Sequence, residues 1–489
     1  MSEAKFNQLV LKVKRIDNQV DLAKLKEAFL FAQKAHLGQK RLSGADFIDH
    51  GLNTALILSD WLIDEDLLIA GLLHDAVEDG QVTSQQLEKK FGKTVTRLVM
   101  GVTKVRGLKF RGSNQEVFVE NLRKLIITMA KDLRVVLVRL ADRWDNLQTL
   151  YVHSPEKQAR KAKETLEVYA PLADRLGMTE IKSFLEDLSF IYLQPEEYQK
   201  TVDLAIKFLK KAEVDLKQTK RQLLSALAKK SVSAQISART KGVYSLFNKL
   251  SREEVNWDLE KVHDLVALRV IVENIEDCYA TLGIVHQLFK PVPSLGVSDF
   301  VAQPKPNGYQ SIHAKVFALK RVIEVQIRTE EMHQEAEWGI AAHWHYVQKK
   351  GKEISDEKIE RGFSVPDEKI NWVRELVAWQ KEVVDSKEFL SSLKLDALRK
   401  RIFIFSPQGD VYDLPLGATP VDFAYAVHSD LGNNCQGARV DGQWVSLDYQ
   451  LKSGQAVEII KAKKRKPSRD WLDFVVTKRA RDKLKKITS

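Results

Sequence analysis

Apolar residues recur every three to four positions over roughly the first 230 residues, in stretches such as DLLIAGLLHDAVED, EVFVENLRKLIITMAKDLRVVLVRLADRWDNLQTL and KETLEVYAPLADRLGMTEIKSFLEDL. That spacing lays an apolar stripe along each helix, which only other helices or a sheet can cover, so the region reads as all-α. Near Ser231 the pattern changes. VSAQISA, LVALRVIVEN and AKVFALKRVIEVQIR read as strands, separated by the helical stretches VYSLFNKL and DCYATLGIVHQLF, and this second block is α/β. A third pattern starts at Arg401, where RIFIFSPQGDVYDLPLG sets two strands around a Pro-Gln-Gly-Asp turn. Thr419-Pro420-Val421-Asp422 then opens a helix with an N-cap, a first-turn proline and an acid. The fold class expected is therefore multidomain: residues 1–195 a helical domain with connecting helices, 196–350 an α/β domain, 351–395 a connector and helix, 396–461 a small β-rich domain with one helix, and 462–489 a basic tail.

The 489 residues, 44% hydrophobic and 29% charged, supply several buried cores and exclude a disordered or fibrous chain. The formal charge of +11 is unevenly spread. From Lys461 to Ser489 twelve Lys and Arg stand against three Asp, a net of +9, which leaves about +2 for everything before. The two cysteines, Cys278 and Cys435, match no metal or redox spacing and fit a reducing compartment. The opening residues contain no apolar signal core and no segment approaches eighteen apolar residues. A cytoplasmic protein without a membrane partner is expected.

The densest chemistry lies in the helical block. His74 and Asp75 are adjacent in an apolar helical stretch with Glu78 and Asp79 one turn on, which places a His and three acids on one helix face. Burying so many acids without a cation is costly. His50 and Asp142 stand in comparable settings, with Asn146 on the face of Asp142. Two imidazoles and two carboxylates suit Mn²⁺, Fe²⁺ or Zn²⁺ and imply metal-assisted hydrolysis, with Glu78 or Asp79 orienting or deprotonating the water. Arg41 supplies a fork of donors for phosphate.

In the α/β block, Asp264 precedes one strand and Glu324 lies within another, so that neighbouring strands would let them share Mg²⁺ beside nucleotide phosphates. Arg239 and Lys241, followed by Ser245 and Lys249 on the next helix, form a row of donors able to follow a triphosphate. Lys305, Asn307, Tyr309 and His313 come from the loop PKPNGYQSIH, whose tyrosine is placed to stack on a base.

The string AHLGQKRLSGADFIDH…GLLHDAVEDG…GVTK…VRLADRWDNLQTL resembles the HD phosphohydrolase superfamily and, more closely, the hydrolase domain of the RelA/SpoT homologues, the stringent-response enzymes that make and degrade guanosine 3′-pyrophosphates. The resemblance implies that His50, His74, Asp75 and Asp142 hold one Mn²⁺, that Glu78 and Asp79 activate water, and that Arg41 and Asn146 position (p)ppGpp. RTKGVYSLFNK, DLVALRV, PKPNGYQSIHAKV, IEVQIRTEEMH and AEWGIAAHW are similar to the synthetase domain of the same family, which is nucleotidyltransferase-like. That likeness implies transfer of the β,γ-pyrophosphate of ATP to the 3′-hydroxyl of GDP or GTP. Asp264 and Glu324 would then bind Mg²⁺, with Glu324 also the base; Arg239, Lys241, Lys249 and Arg269 would hold ATP, and Tyr309 would stack on guanine. One departure stands out. Family members carry a charged Arg-x-Lys-Asp or Glu-x-Asp-Asp before the Asp-aromatic-aliphatic-Ala segment, where this chain has Gly296 and Ser298.

Residues 403–460 resemble a TGS domain, whose family contact is the tRNA acceptor end, with His428 at the position of its recognition histidine. The tail sets cations beside Trp471, a composition suited to phosphate neutralisation with some stacking on ribosomal or transfer RNA. Longer family members continue into helical, zinc-finger-like and ACT modules, so the sequence is either a piece of such a chain or a naturally short enzyme. Besides the bifunctional reading, two others remain: a hydrolase whose synthetase fold is regulatory, and an RNA-binding signalling protein for which catalysis is secondary.

Overall fold

The computed structural model describes residues 2–16, 20–61, 64–103, 114–262, 265–293, 296–305, 307–319, 321–342, 401–408, 410–452, 454–462 and 467–488. The chain divides into two compact units, one from residues 1–111 and 120–373, the other from 112–119 and 374–489. The expected connector at 351–395 lies outside the described residues.

In the first unit the helical period of the sequence becomes α1 (Ser2–Ile16), α2 (Leu22–Ala35), α3 (Ile48–Trp61), α4 (Glu65–Leu73), α5 (Ser84–Val102), α6 (Asn114–Met129, which counts to this unit from Glu120 on) and α7 (Arg134–Gln148). They are followed by α8 (Pro155–Glu164), α9 (Ala170–Arg175), α10 (Thr179–Leu193) and the 35-residue α11 (Pro195–Lys229). Local chemistry sets several of the starts. The side chains of Asp21 and Asp64 cap α2 and α4, and Thr83 with Gln86 closes a capping box on α5. Helix α4 is buried on every side from Leu67 to Leu73 and forms the middle of the lobe, against α3 and α7. Gly51 lets α3 come this near: a Cβ there would stand 2.7 Å from the carbonyl oxygen of Leu72.

The α/β part is a sheet in the order β1-β2-β6-β5-β3, with β4 also paired to β5. Its strands are β1 (Ala234–Thr240), β2 (Val266–Val272), β3 (Lys290–Pro291), β4 (Val297–Asp299), β5 (Ile312–Ala318) and β6 (Arg321–Thr329). Helices α12 (Val243–Leu250), α13 (Ile275–Leu288) and α14 (Glu330–Trp338) complete it. β2 and β6 run parallel, so the expected neighbours are adjacent, with Ala267 opposite Glu324 and Arg239 of β1 opposite Ala267. β6 is buried continuously from Ile323 to Thr329, where the sequence reads as alternating. A central strand covered on both faces loses the polar-out half of its period. Leu223 and Leu227 of α11 and Cys278 and Val285 of α13 pack with the aliphatic residues of β2, β5 and β6.

Helix α10 ties the two parts together. The Phe184 ring lies 4.5 Å from that of Trp144 on α7. Asp187 accepts the backbone N–H groups of Val243 and Tyr244 at 3.1 and 2.8 Å and so caps α12. At its start, the carboxyl of Glu180 hydrogen-bonds that of Glu337 on α14. This bond, followed by burial and the charge of Glu337, pushes Glu180 up to about 7. Just beyond α14, Gly339 adopts φ 56 and ψ −124, and a Cβ there would stand 2.1 Å from the carbonyl oxygen of Leu176.

The second unit pairs β7 (Arg401–Phe405) with β8 (Val411–Pro415) and has a sheet in the order β10 (Gln443–Val445), β9 (Cys435–Val440), β11 (Val457–Lys461). The expected helix is α15 (Pro420–Val427), opened by Thr419 and Asp422 in a capping box. A second short helix, α16 (Ser429–Asn433), follows it, and α17 (Lys478–Thr488) ends the chain. Asp422, fully buried, also accepts the N–H groups of Val476 and Thr477, which fastens the tail to the domain.

Gly339→Ala should destabilise the first unit by about 2–4 kcal/mol, because an L-residue in that conformation and a Cβ against a backbone oxygen are both strained; urea unfolding measures it. Glu180 binds its proton more tightly folded (about 7) than at its ordinary 4.5, so the stability it contributes is full below pH 4.5 and lost as pH rises to about 7. Glu180→Gln keeps the bond without the titration, and should flatten that decline in urea midpoints taken from pH 4.5 to 7.

Candidate functional site

The four metal-ligand candidates of the helical lobe converge. His50 Nε2 lies 3.2 Å from His74 Nε2 and 3.2 Å from Asp142 Oδ1. His74 Nε2 lies 3.8 Å from the same oxygen, and Asp75 oxygens stand 3.6 and 3.4 Å from the two imidazoles. Donors bound at about 2.1 Å to one ion sit about 3.0–3.4 Å apart, so His50, His74 and Asp142 fit a divalent cation with little movement, with Asp75 beside the two imidazoles. The electrostatics agree. Burial opposes a charge on His50, yet its hydrogen bonds to Asp142 and Asp145, with the charge of Asp75, hold its pKa at about 9. Burial likewise pushes Asp142 up, and the His50 bond with the charges of His74 and Arg139 overcomes it and holds the carboxyl well below its ordinary range. The acids thus call for positive charge at the point where the donors meet.

One expectation is corrected. Helix α4 ends at Leu73, so His74 to Asp79 form successive turns rather than a continuing helix face. The amide of Ala76 bonds back to Leu73 and that of Asp79 to Asp75. A helix end exposes unpaired carbonyls, and His74 Nδ1 takes that of Gly71 at 2.9 Å, which turns the other nitrogen toward the donors. The charge of Glu78 acts on Arg139 and Lys124, and the Asp79 carbonyl accepts from Gln39 at 2.9 Å. Asn146 donates to Asp142, and Arg41 donates to the Asn146 side-chain oxygen at 2.5 Å. Two residues of α7 escape the sequence reading. Asp145 touches His50 and Arg41 at 2.6 and 3.2 Å, and Arg139 pairs with Asp142 at 3.3 Å. Spacing three from Asp142 was the available signal, and any solvated charged residue of a helix shares it.

In the α/β part Arg239, Lys241, Ser245 and Glu324 line one cleft of about 220 Å³. Its remaining wall was not legible: Thr179, Lys182, Ser183 and Glu186 come from α10, which reads as a plain connecting helix. Gln326 bridges the centre, donating to Glu324 at 2.7 Å and accepting from Arg239 at 3.4 Å. His313 lies 3.5 Å from Glu324 and bonds the Tyr309 hydroxyl at 2.8 Å. Burial, then the charges of Lys305, Arg328 and Arg239, drives His313 down to about 3, so it is neutral there. The Lys305 ammonium sits 4.9 Å over the Tyr309 ring, and Asn307 accepts the Tyr309 N–H at 3.2 Å. Arg269 pairs with Glu337 at 2.8 Å. Arg328, fully buried, leaves Nε and Nη1 without a hydrogen-bond acceptor among the described residues, as Arg269 leaves its Nε. Lys249 closes α12. Asp264, the expected second carboxylate, lies outside the described residues, so the Mg²⁺ pair is represented by Glu324 alone.

In the second unit His428 is the extended residue between α15 and α16, and its Nδ1 accepts the Asp430 N–H at 3.2 Å. Trp471 corrects the stacking expectation. It is 4% exposed and packs with Val421, Tyr425, Ala480 and Leu484. A tryptophan between basic runs looks like a stacking platform in composition, but α17 needs an apolar anchor and Trp471 serves as that. No helix among the described residues is long and apolar enough to cross a membrane.

Comparison with known proteins agrees with this layout. Residues 28–179 match the HD domain model, 238–351 the region found in RelA and SpoT proteins, and 402–461 the TGS domain. A GTP pyrophosphokinase of Myxococcus xanthus is 45% identical over 468 residues, 95% of this chain and 60% of that protein. The guanosine-3′,5′-bis(diphosphate) 3′-pyrophosphohydrolase of Aquifex aeolicus is 43% identical over 467 residues, 94% of this chain and 64% of that protein. The bifunctional (p)ppGpp synthase/hydrolase SpoT of Escherichia coli is 42% identical over 471 residues, 95% and 65%. The chain therefore spans about three-fifths of the length of these curated relatives. With HD, synthetase-region and TGS domains in that order, the chain belongs to the RelA/SpoT family.

Proposed function

We propose that the chain both degrades and makes (p)ppGpp in the cytoplasm, each reaction at its own site. The meeting of His50, His74, Asp75 and Asp142 carries this reading, because such a donor set has no structural purpose that an apolar core would not serve better. Mn²⁺ held there supplies Lewis-acid polarisation of a water and of a phosphate oxygen. Glu78 and Asp79 activate the attacking water, one orienting it and the other taking its proton, while Arg41 and Asn146 position the 3′-phosphates; the bond from the 3′-oxygen to phosphorus breaks, and pyrophosphate and GDP or GTP leave.

In the cleft between α10 and the sheet, Glu324 accepts the proton of the 3′-hydroxyl of GDP or GTP. The hydroxyl oxygen attacks the β-phosphorus of ATP and AMP leaves. Arg239, Lys241, Ser245, Lys249 and Arg269 follow the phosphates, and the orphan N–H groups of Arg328 and Arg269 favour an anion nearby. Lys305, Asn307 and His313 hold Tyr309 in place for guanine, and Asp264 joins Glu324 as a Mg²⁺ ligand. Opposed reactions in one chain waste ATP unless coupled, and α10, which lines this cleft and packs on α7, is the coupling element we favour. In the second unit His428 and the exposed cations Arg479, Lys483, Lys485 and Lys486 favour contact with tRNA or the ribosome.

His74→Ala or Asp75→Ala should cut Mn²⁺-dependent release of pyrophosphate from ppGpp by about 10³-fold or more and leave synthesis intact; persisting hydrolysis in metal-loaded variant defeats the assignment. With ATP, GDP and Mg²⁺, the unaltered chain should form AMP and ppGpp together, and Glu324→Gln should lower that rate by about 10²–10⁴-fold. Absence of both products from the unaltered chain would leave a hydrolase alone, a reading that Gly296 and Ser298 favour.

A further inference from the structure

We propose that Asp145 is the positioning residue of the metal centre, holding the proton of His50 on Nδ1 so that Nε2 is presented to the ion; this rests on the metal-centre reading above. Asp145 is 2% exposed, on α7 three residues beyond the ligand Asp142. Its Oδ2 lies 2.6 Å from His50 Nδ1 and accepts from Arg41 at 3.2 Å, and its Oδ1 accepts from Asn53 at 2.8 Å. Three donors converge on the two oxygens, from α3, from the loop before it and from the ring itself, so the carboxylate has one orientation.

The consequence follows from imidazole chemistry. A neutral ring carries one N–H, and a carboxylate against Nδ1 fixes it there, leaving the lone pair on Nε2. His74 is held in the same sense from its own Nδ1, by the backbone carbonyl of Gly71 at 2.9 Å, and the two Nε2 atoms meet at 3.2 Å. Two rings clamped from behind, one by backbone and one by a side chain, is an arrangement for presenting lone pairs to a common point. A carboxylate kept merely to neutralise Arg41 would have no reason to sit closer to the imidazole than to the guanidinium. The negative charge also raises the ring's donor strength, which a neutral amide does not. Because the same oxygen holds Arg41, the phosphate-binding guanidinium is placed relative to the ion by the residue that places the ligand.

The test uses the full chain, with Mn²⁺ alone as probe and free Mn²⁺ read by its paramagnetic resonance signal. The unaltered protein should take up Mn²⁺ at a site that His74→Ala abolishes, and Asp145→Asn should weaken that uptake by about 10–100-fold. Asn53→Ala, which removes an anchor of Asp145 without touching the imidazole, should weaken it by about 2–10-fold, and it decides the matter if Asp145→Asn does not fold. Far-UV circular dichroism and the urea midpoint, compared with those of the unaltered chain, report that each variant is folded. Uptake by a folded Asp145→Asn, or failing that by Asn53→Ala, within about two-fold of the unaltered chain overturns the positioning role while the centre stands. No uptake by the unaltered chain overturns the centre and the inference with it.

Discussion

Three carboxylates, Asp75, Asp142 and Asp145, surround one buried imidazole, and the helical lobe is arranged so that they can. Removing this much negative charge from water is unfavourable by several kcal/mol per ion unless positive charge is supplied at the same place. His50 supplies it as a proton, and a divalent ion supplies it better, since it satisfies both imidazoles and both flanking acids at once. The remaining geometry is subordinate to that demand. α4 is apolar all round so that its end, not its face, can be polar; Gly51 lets α3 close on Leu72; and α7 brings Asp142, Asp145 and Asn146 on successive turns.

What the sequence discloses depends on how local the cause is. The donor types and their apolar settings are local, so His50, His74, Asp75 and Asp142 are readable as a set. The end of α4 was not readable, because DLLIAGLLHDAVED keeps helical spacing beyond Leu73 and only the capture of the Gly71 carbonyl by His74 marks the stop. Asp145 was missed for the opposite reason: its role is set by His50, 95 positions away, and nothing near it in the chain differs from an ordinary helix acid. The adjacency of β2 and β6 follows from their apolar runs, but the register that puts Glu324 opposite Ala267 is a tertiary outcome. Trp471 illustrates the same limit, since composition names a residue's neighbours in sequence and not those in space.

Helix α10 is where the two halves of the first unit become one physical problem. Its Phe184 packs on Trp144, two residues from Asp142 and next to Asp145, while Lys182, Ser183 and Glu186 face the cleft and Asp187 holds the start of α12. Both contacts are short-range, so they fall off within a small displacement of the helix. A displacement that keeps the ring contact would carry along or lose the cap on α12, and one that keeps the cap would alter the contact with α7. Glu180 adds a third constraint at the same helix, because its bond to Glu337 competes with the pairing of Glu337 to Arg269. A nucleotide drawing Arg269 toward its phosphates would weaken that pairing and shift the proton balance of the two acids. The position of α10 would then register the state of the cleft, and Trp144 would meet the consequence on the side of the metal centre. Any coupling of the two sites is bounded by how differently each ligand would interact with two placements of this helix, and the contacts on which such a difference would fall are a ring contact, a helix cap and the Glu180–Glu337 pair.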